Sequence, residues 1–235
     1  MKLIAASSLS ELLTALSDVP DEVPVRGFGR RTEHTEPWVL KRLIASLASA
    51  DLLRYPLSVE LADRPDILLV SAGRGIGIEL MELIPPAYAQ AVAIGNREFP
   101  GAIVDRSVFG WGKKWTPADI RNHLRREGHR LSGDGWAGDA VEREWADSVR
   151  GAIEKKTERL NTPGFRRLSE NWLGTYSSSP GPDFDARVAV GFLGSEDLNR
   201  PRFSLNFDCA ANLVSDSVLV IGKSGVTTCP HVRPQ

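Results

Sequence analysis

Residues 64 to 82 read Arg64-Pro65-Asp66-Ile67-Leu68-Leu69-Val70-Ser71-Ala72-Gly73-Arg74-Gly75-Ile76-Gly77-Ile78-Glu79-Leu80-Met81-Glu82. Two apolar runs, Ile67 to Val70 and Ile76 to Leu83, flank a short segment containing glycine, which is the pattern of a β-hairpin. Apolar residues on both faces of each run suit central strands covered from both sides. With Ala72-Gly73 as a two-residue turn, facing residues have numbers that sum to 145, so Asp66 stands opposite Glu79. Directly opposed side chains have Cβ atoms about 4.5–5.5 Å apart. Two carboxylates that close on apolar strands repel and raise one pKa unless a cation lies between them. A hard divalent ion held by oxygen, Mg²⁺ or Mn²⁺ before zinc, fits this pair. The other reading makes Asp66 a turn-flanking residue and pairs Glu79 with Arg64 or Arg74.

Outward from the hairpin, Leu57-Ser58-Val59-Glu60-Leu61 alternates as a strand does. Before it, a helix is expected to start near Glu36-Pro37, with Val39, Leu43, Ile44, Leu47 and Ala48 at helical spacing. Residues 18 to 32 carry Pro20, Pro24, Gly27 and Gly29 and read as a connecting arm. They follow a short amphipathic helix that shows Leu9, Leu12, Leu13 and Leu16 on one side. After the hairpin, Ile103-Val104 and Val108-Phe109 read as short strands, and Thr116 caps a helix running to about Arg126. A Gly-rich loop covers 132 to 138, and a long helix runs from about Asp139 to Asn161. Its apolar stripe holds Trp145, Val149, Ala152, Ile153 and Leu160. Lys156 falls on that stripe and Lys155 does not. Lys156 either snorkels out of the core or brings its ammonium to a buried anionic site. Asn171 to Tyr176 and Val218 to Ile221 are further strands. This order predicts an α/β fold with a mixed sheet flanked by helices.

The 235 residues suit one domain, with 42% hydrophobic and 25% charged residues as in a folded globular chain. Lys plus Arg number 29 against 30 Asp plus Glu, a net charge of -1, so any polyanionic partner must be held by a local patch. Two cysteines fit a reducing compartment, and no apolar run approaches a membrane span. The signal-like start is broken by Glu11 and Asp18. The expectation is a cytoplasmic protein without a membrane partner.

Pro65-Asp66 and the Glu79-Leu80-Met81 tripeptide, set on a hairpin, resemble the PD-(D/E)XK nuclease superfamily. Glu36 on the preceding helix is similar to the acidic residue that helps hold the metal there. The Ile153-x-x-Lys156-x-x-Arg159-Leu160 helix and the Trp172 to Tyr176 strand match the order of the family's αβββαβ core. The resemblance covers roughly residues 33 to 83 and 140 to 176. It implies a restriction-endonuclease-like single domain, with 1–32 as N-terminal helix and arm, 33–83 and 137–235 as core, and 84–136 as an insertion. It also implies a Mg²⁺- or Mn²⁺-dependent endodeoxyribonuclease, acting on DNA alone or as a homodimer. Asp66, Glu79, the Leu80 carbonyl and Glu36 would hold the metal, and Asp66, Glu79 and Lys156 would be catalytic. Met81 departs from the pattern, standing where the family has lysine. Methionine cannot stabilise a charged phosphorane, so Lys156 from the neighbouring helix is the expected replacement. Without it the fold would serve as a catalytically inactive module that binds nucleic acid or protein. Glu36 and Lys156 also have ordinary structural readings, as a helix-terminus charge and a snorkelling lysine.

The most basic stretch is Lys113-Lys114-Trp115 followed by Arg121, His123, Arg125, Arg126, His129 and Arg130. Lys113, Lys114, Arg125 and Arg126 are candidate phosphate contacts, with Trp111 and Trp115 as stacking platforms. The competing reading is a solvated helix face beside a core tryptophan. Gly73 to Gly77 has the wrong spacing for a dinucleotide and leads into a strand. Gly222-Lys223-Ser224 lacks a phosphate loop's first glycine, and Cys209 with Cys229-Pro230-His231 matches no common zinc spacing.

Overall fold

Ala72 and Gly73 both adopt positive φ, 49° and 80°, as the tight turn of a two-stranded hairpin requires. The turn joins β3 (Ile67–Ser71) to β4 (Arg74–Glu82) with the expected register, Ile67 facing Ile78 and Ser71 facing Arg74. The computed structural model describes residues 4–23, 30–177 and 183–193 in full, and the backbone of 194–199, 209–214, 217–222 and 225–230. Pro24, Gly27 and Gly29 of the expected arm, and Lys223, Ser224 and His231, lie outside the described residues.

Along the chain, β1 (Ile4–Ala6), α1 (Leu9–Ser17), α2 (Thr32–Ser49) and β2 (Leu57–Leu61) precede the hairpin. After it come α3 (Pro86–Glu98), α4 (Pro117–Glu127), α5 (Ala140–Leu160), β5 (Glu170–Tyr176) and α6 (Ala186–Asn199). Three strands close the described chain, β6 (Cys209–Val214), β7 (Ser217–Gly222) and β8 (Gly225–Pro230). The eight strands form one sheet in sequence order. β4–β5 and β5–β6 are parallel and the remaining pairs antiparallel, so the fold is α/β with a mixed sheet.

Alternation along β4 sorts its side chains between two cores. Ile76, Ile78 and Leu80 pack with Leu40, Leu43 and Leu47 of α2 and with α1. Met81 and Leu83 pack with Val149, Ala152 and Leu160 of α5 and with α6. Glu79, two residues before Met81, therefore belongs to the α5 side. Gly77 is on that side too, and a Cβ there would come within 2.8 Å of the Pro65 ring. Residues 84 to 136 have a separate core in which Ala91, Ile94, Phe109, Ile120 and Leu124 are buried. Among the described residues, no helix is long and apolar enough to cross a membrane.

Four local expectations are corrected. α2 begins at Thr32, about a turn early, because His34 Nδ1 accepts the Arg31 N–H at 3.0 Å and closes the first turn; Pro37 then sits inside the helix. Ile4–Ala6 is an edge strand on β2 rather than part of the N-terminal helix, too short to display alternation. Residues 103–104 and 108–109 are loop and turn, not strand, and Phe109 is drawn into the core of the insertion. Helix α3 was not expected, since its buried face is Ala87, Ala91, Ile94 and Gly95, too weakly apolar to show helical periodicity.

Candidate active site

The sheet brings Asp66 to the start of β3 and Glu79 into β4, one step beyond the Ile67–Ile78 pair. They therefore face one another across the hairpin on the α5 side. Asp66 Oδ2 accepts the Leu80 backbone N–H at 2.7 Å, which locks that carboxylate onto β4. Both acids are deeply buried, Asp66 at 7% exposure and Glu79 at 1%.

The cation between them comes from α5. Trp145, Val149, Ala152, Lys156 and Leu160 are all buried on the face that packs on the sheet, whereas Lys155 is exposed. Lys156 Nζ donates to Glu79 Oε2 at 2.8 Å and to Asp66 Oδ2 at 3.3 Å. It does not snorkel: its side chain is buried and its ammonium bridges both carboxylates. Neither arginine considered as a partner for Glu79 takes that place. Arg64 is paired with Asp63 and Arg74 with Glu170.

Arg159, one turn beyond Lys156, adds a second cation that had no assigned role in the sequence reading. Its Nε lies 3.4 Å from Glu79 Oε2, and its Nη2 lies 3.6 Å from Asp66 Oδ1 and donates to the Asp63 carbonyl at 3.3 Å. The i, i+3 spacing from Lys156 was the available signal. Arg30 was missed as well. It emerges from the arm, where no periodicity announces it, and reaches Thr35 Oγ1 at 3.1 Å and Glu82 at 3.4 Å.

Asp66, Lys156, Arg159 and Arg30 open onto a cleft of about 520 Å³ lined also by Arg31 and Glu36, with Leu80 in its wall; Glu79 is buried and is not among the lining residues. Burial raises the Glu36 pKa, and the Asp66 charge raises it further against the opposing effect of Lys156 and Arg159. Glu36 thus feels the site from the N-terminal part of α2. Burial is also the largest influence on Glu79, raising its pKa; the Lys156 hydrogen bond pulls the other way and Asp66 adds to the rise.

Among the described residues, no three His, Cys, Asp or Glu side chains are gathered closely enough to hold an ion. Asp66, Glu79 and Glu36 share a site whose centre is taken by two cations. The donor chemistry still suits a hard divalent ion. Glu79 Oε1 is buried without a hydrogen-bond partner, and Asp66 Oδ1 has its contact with Arg159 at ion-pair range only. Two such oxygens on facing strands, with Glu36 close by, suit Mg²⁺ or Mn²⁺.

The basic segment lies apart from this cleft, to which residues 84 to 136 contribute only Ala93. Lys113 Nζ donates to the Ser107 carbonyl at 2.7 Å, and Lys114 is exposed in the loop before α4. Arg125 and Arg126 are in the last turn of α4, with Arg125 held by Asn122 at 3.1 Å. Trp115 packs against the core of the insertion, half-buried, with its ring 4.7 Å from that of Phe109. No protein-family model, no curated protein and no solved structure matches the chain.

Proposed function

We propose that the chain is a divalent-metal-dependent nuclease of the PD-(D/E)XK kind, hydrolysing phosphodiester bonds in DNA. The observation that carries this reading is Lys156 Nζ bridging Asp66 and Glu79 from the neighbouring helix, in the position where Met81 leaves the motif without a cation. The order α2, β2, β3, β4, α5, β5, with β4 and β5 parallel, agrees with a restriction-endonuclease-like core. Asp66, Glu79, Glu36 and the Leu80 carbonyl are the residues that would hold Mg²⁺ or Mn²⁺. A bound ion of this kind lowers the pKa of a water and offsets charge on the phosphate. The chain supplies the rest. Lys156 is fixed by packing along α5, so its ammonium is preorganised to orient the attacking water or to stabilise charge on the phosphoryl oxygens. Arg30 and Arg31 give the cleft a cationic wall for the phosphates on either side of the broken bond.

A second reading, a catalytically silent member of the same fold that binds nucleic acid or protein, is favoured by two features. Lys156 and Arg159 already neutralise the two carboxylates, and no three-ligand group is formed among the described residues. Incubating plasmid and single-stranded DNA with the protein in Mg²⁺ or Mn²⁺, beside Asp66→Ala, separates the two. Cleavage by the parent that disappears in Asp66→Ala is the expected result. DNA binding without cleavage in either ion leaves only the silent reading.

A further inference from the structure

We infer that Arg159 is a placeholder for the metal: it holds the carboxylates in the ion-free protein and turns to the substrate phosphate when an ion binds. This rests on the metal-dependent reading proposed above. Asp66 Oδ2 is committed to the Leu80 N–H and to Lys156, and Glu79 Oε2 to Lys156. The oxygens left for an ion are Glu79 Oε1, which has no hydrogen-bond partner, and Asp66 Oδ1, which faces Arg159 Nη2 at 3.6 Å. Arg159 and an incoming ion therefore compete for the same carboxylate oxygen.

Of the two cations, Arg159 is the one free to leave. Lys156 is buried in the α5 stripe and makes a 2.8 Å hydrogen bond, whereas the Arg159 side chain is 38% exposed and touches the carboxylates at 3.4 and 3.6 Å. Its departure also balances charge. Asp66, Glu79 and Glu36 oppose Lys156 and Arg159; with a divalent ion in place, Lys156 and the ion together match the three carboxylates, and the guanidinium is surplus. Arg159 already lines the cleft, and its planar fork suits two phosphate oxygens at once. Binding of the ion thereby frees the group that receives the substrate.

Mn²⁺ binding by the full chain, followed by calorimetry and by the loss of the free-ion paramagnetic resonance signal, tests this. Arg159→Gln should bind Mn²⁺ roughly fivefold more tightly than the parent, the size expected for removing one partly exposed ion pair. It should also bind an uncleavable phosphorothioate oligonucleotide more weakly in Mn²⁺. Lys155→Gln, which removes one charge from the same helix outside the site, should change neither. Equal or weaker Mn²⁺ binding by Arg159→Gln, or equal tightening by Lys155→Gln, overturns the placeholder role and leaves the nuclease reading standing. If parent and Arg159→Gln both fail to bind Mn²⁺, the metal reading fails and takes this inference with it. Thermal melting of Arg159→Gln checks its fold, and Arg159→Lys, which keeps the charge with a single donor group, should fall between parent and Arg159→Gln for Mn²⁺.

Discussion

Lys155 and Lys156 are consecutive residues, about 100° apart around α5, and that rotation puts one in water and the other between two carboxylates. A transition-state contact should appear in turnover before it appears in binding. Lys156→Ala is therefore expected to reduce kcat by at least about a hundredfold with DNA affinity largely kept, and Lys155→Ala to behave like the parent in steady-state kinetics. Equal rates for all three proteins would make Lys156 a purely structural cation. The buried Glu79 gives a second test at this scale. Its folded pKa is raised, so the folded protein keeps the proton to a higher pH than the unfolded chain does. The stability it contributes is fully present below the unfolded pKa and is lost as pH rises through the folded one. Glu79→Gln stays neutral and escapes that loss. Its stability relative to the parent, from urea titrations, should climb between pH 4 and pH 8, by about 1.4 kcal/mol for each unit that separates the two pKa values. A difference that stays flat or falls over that range would mean that the Lys156 and Arg159 charges outweigh desolvation at Glu79.

At the scale of the elements, the hairpin turn sets the register that makes Asp66 face Glu79. Gly73 takes its positive φ without cost, but Ala72 holds φ 49° against the crowding of its own Cβ. Asparagine visits this region more readily and is a preferred first residue of such turns. Ala72→Asn is expected to raise unfolding stability by about 1 kcal/mol, read from the denaturation midpoint, without altering activity. A loss of stability would indicate that the turn differs from the one described. Gly77 is a different case, since space rather than backbone freedom requires it. The Pro65 ring closes over it and so places Asp66, the next residue.

For the whole molecule, the question is how the insertion and its cations relate to a cleft that they do not line. α3 and α4 carry their own core, so residues 84 to 136 form a body beside the candidate cleft and touch it through Ala93. If the chain acts on DNA as proposed, Lys113, Lys114, Arg125 and Arg126 would contact only DNA that extends past the reacting phosphate. Neutralising all four should weaken binding of a long duplex and reduce the slope of log affinity against log salt by up to about 3.6, with turnover at saturating DNA unchanged. An unaltered salt slope in fluorescence anisotropy would return the segment to a solvated surface.

What the sequence alone determined was local or periodic. The β3–β4 register followed from two apolar runs and a two-residue turn, and Lys156 rather than Lys155 followed from 3.6-residue spacing. Those two periodicities were enough to find the carboxylate pair and its cation, because each depends only on neighbours along the chain. Tertiary structure decided what depended on distant segments. The partner of Asp66 Oδ1 is an arginine 93 positions later, and Arg30 reaches Glu82 from an arm without pattern. Ile4–Ala6 becomes a strand only because β2 offers an edge, and α3 becomes a helix over small residues because Phe109, Ile120 and Leu124 supply the apolar surface it lacks. Such contacts are carried by the folded packing of whole elements, and nothing in the spacing of the residues involved records them in advance.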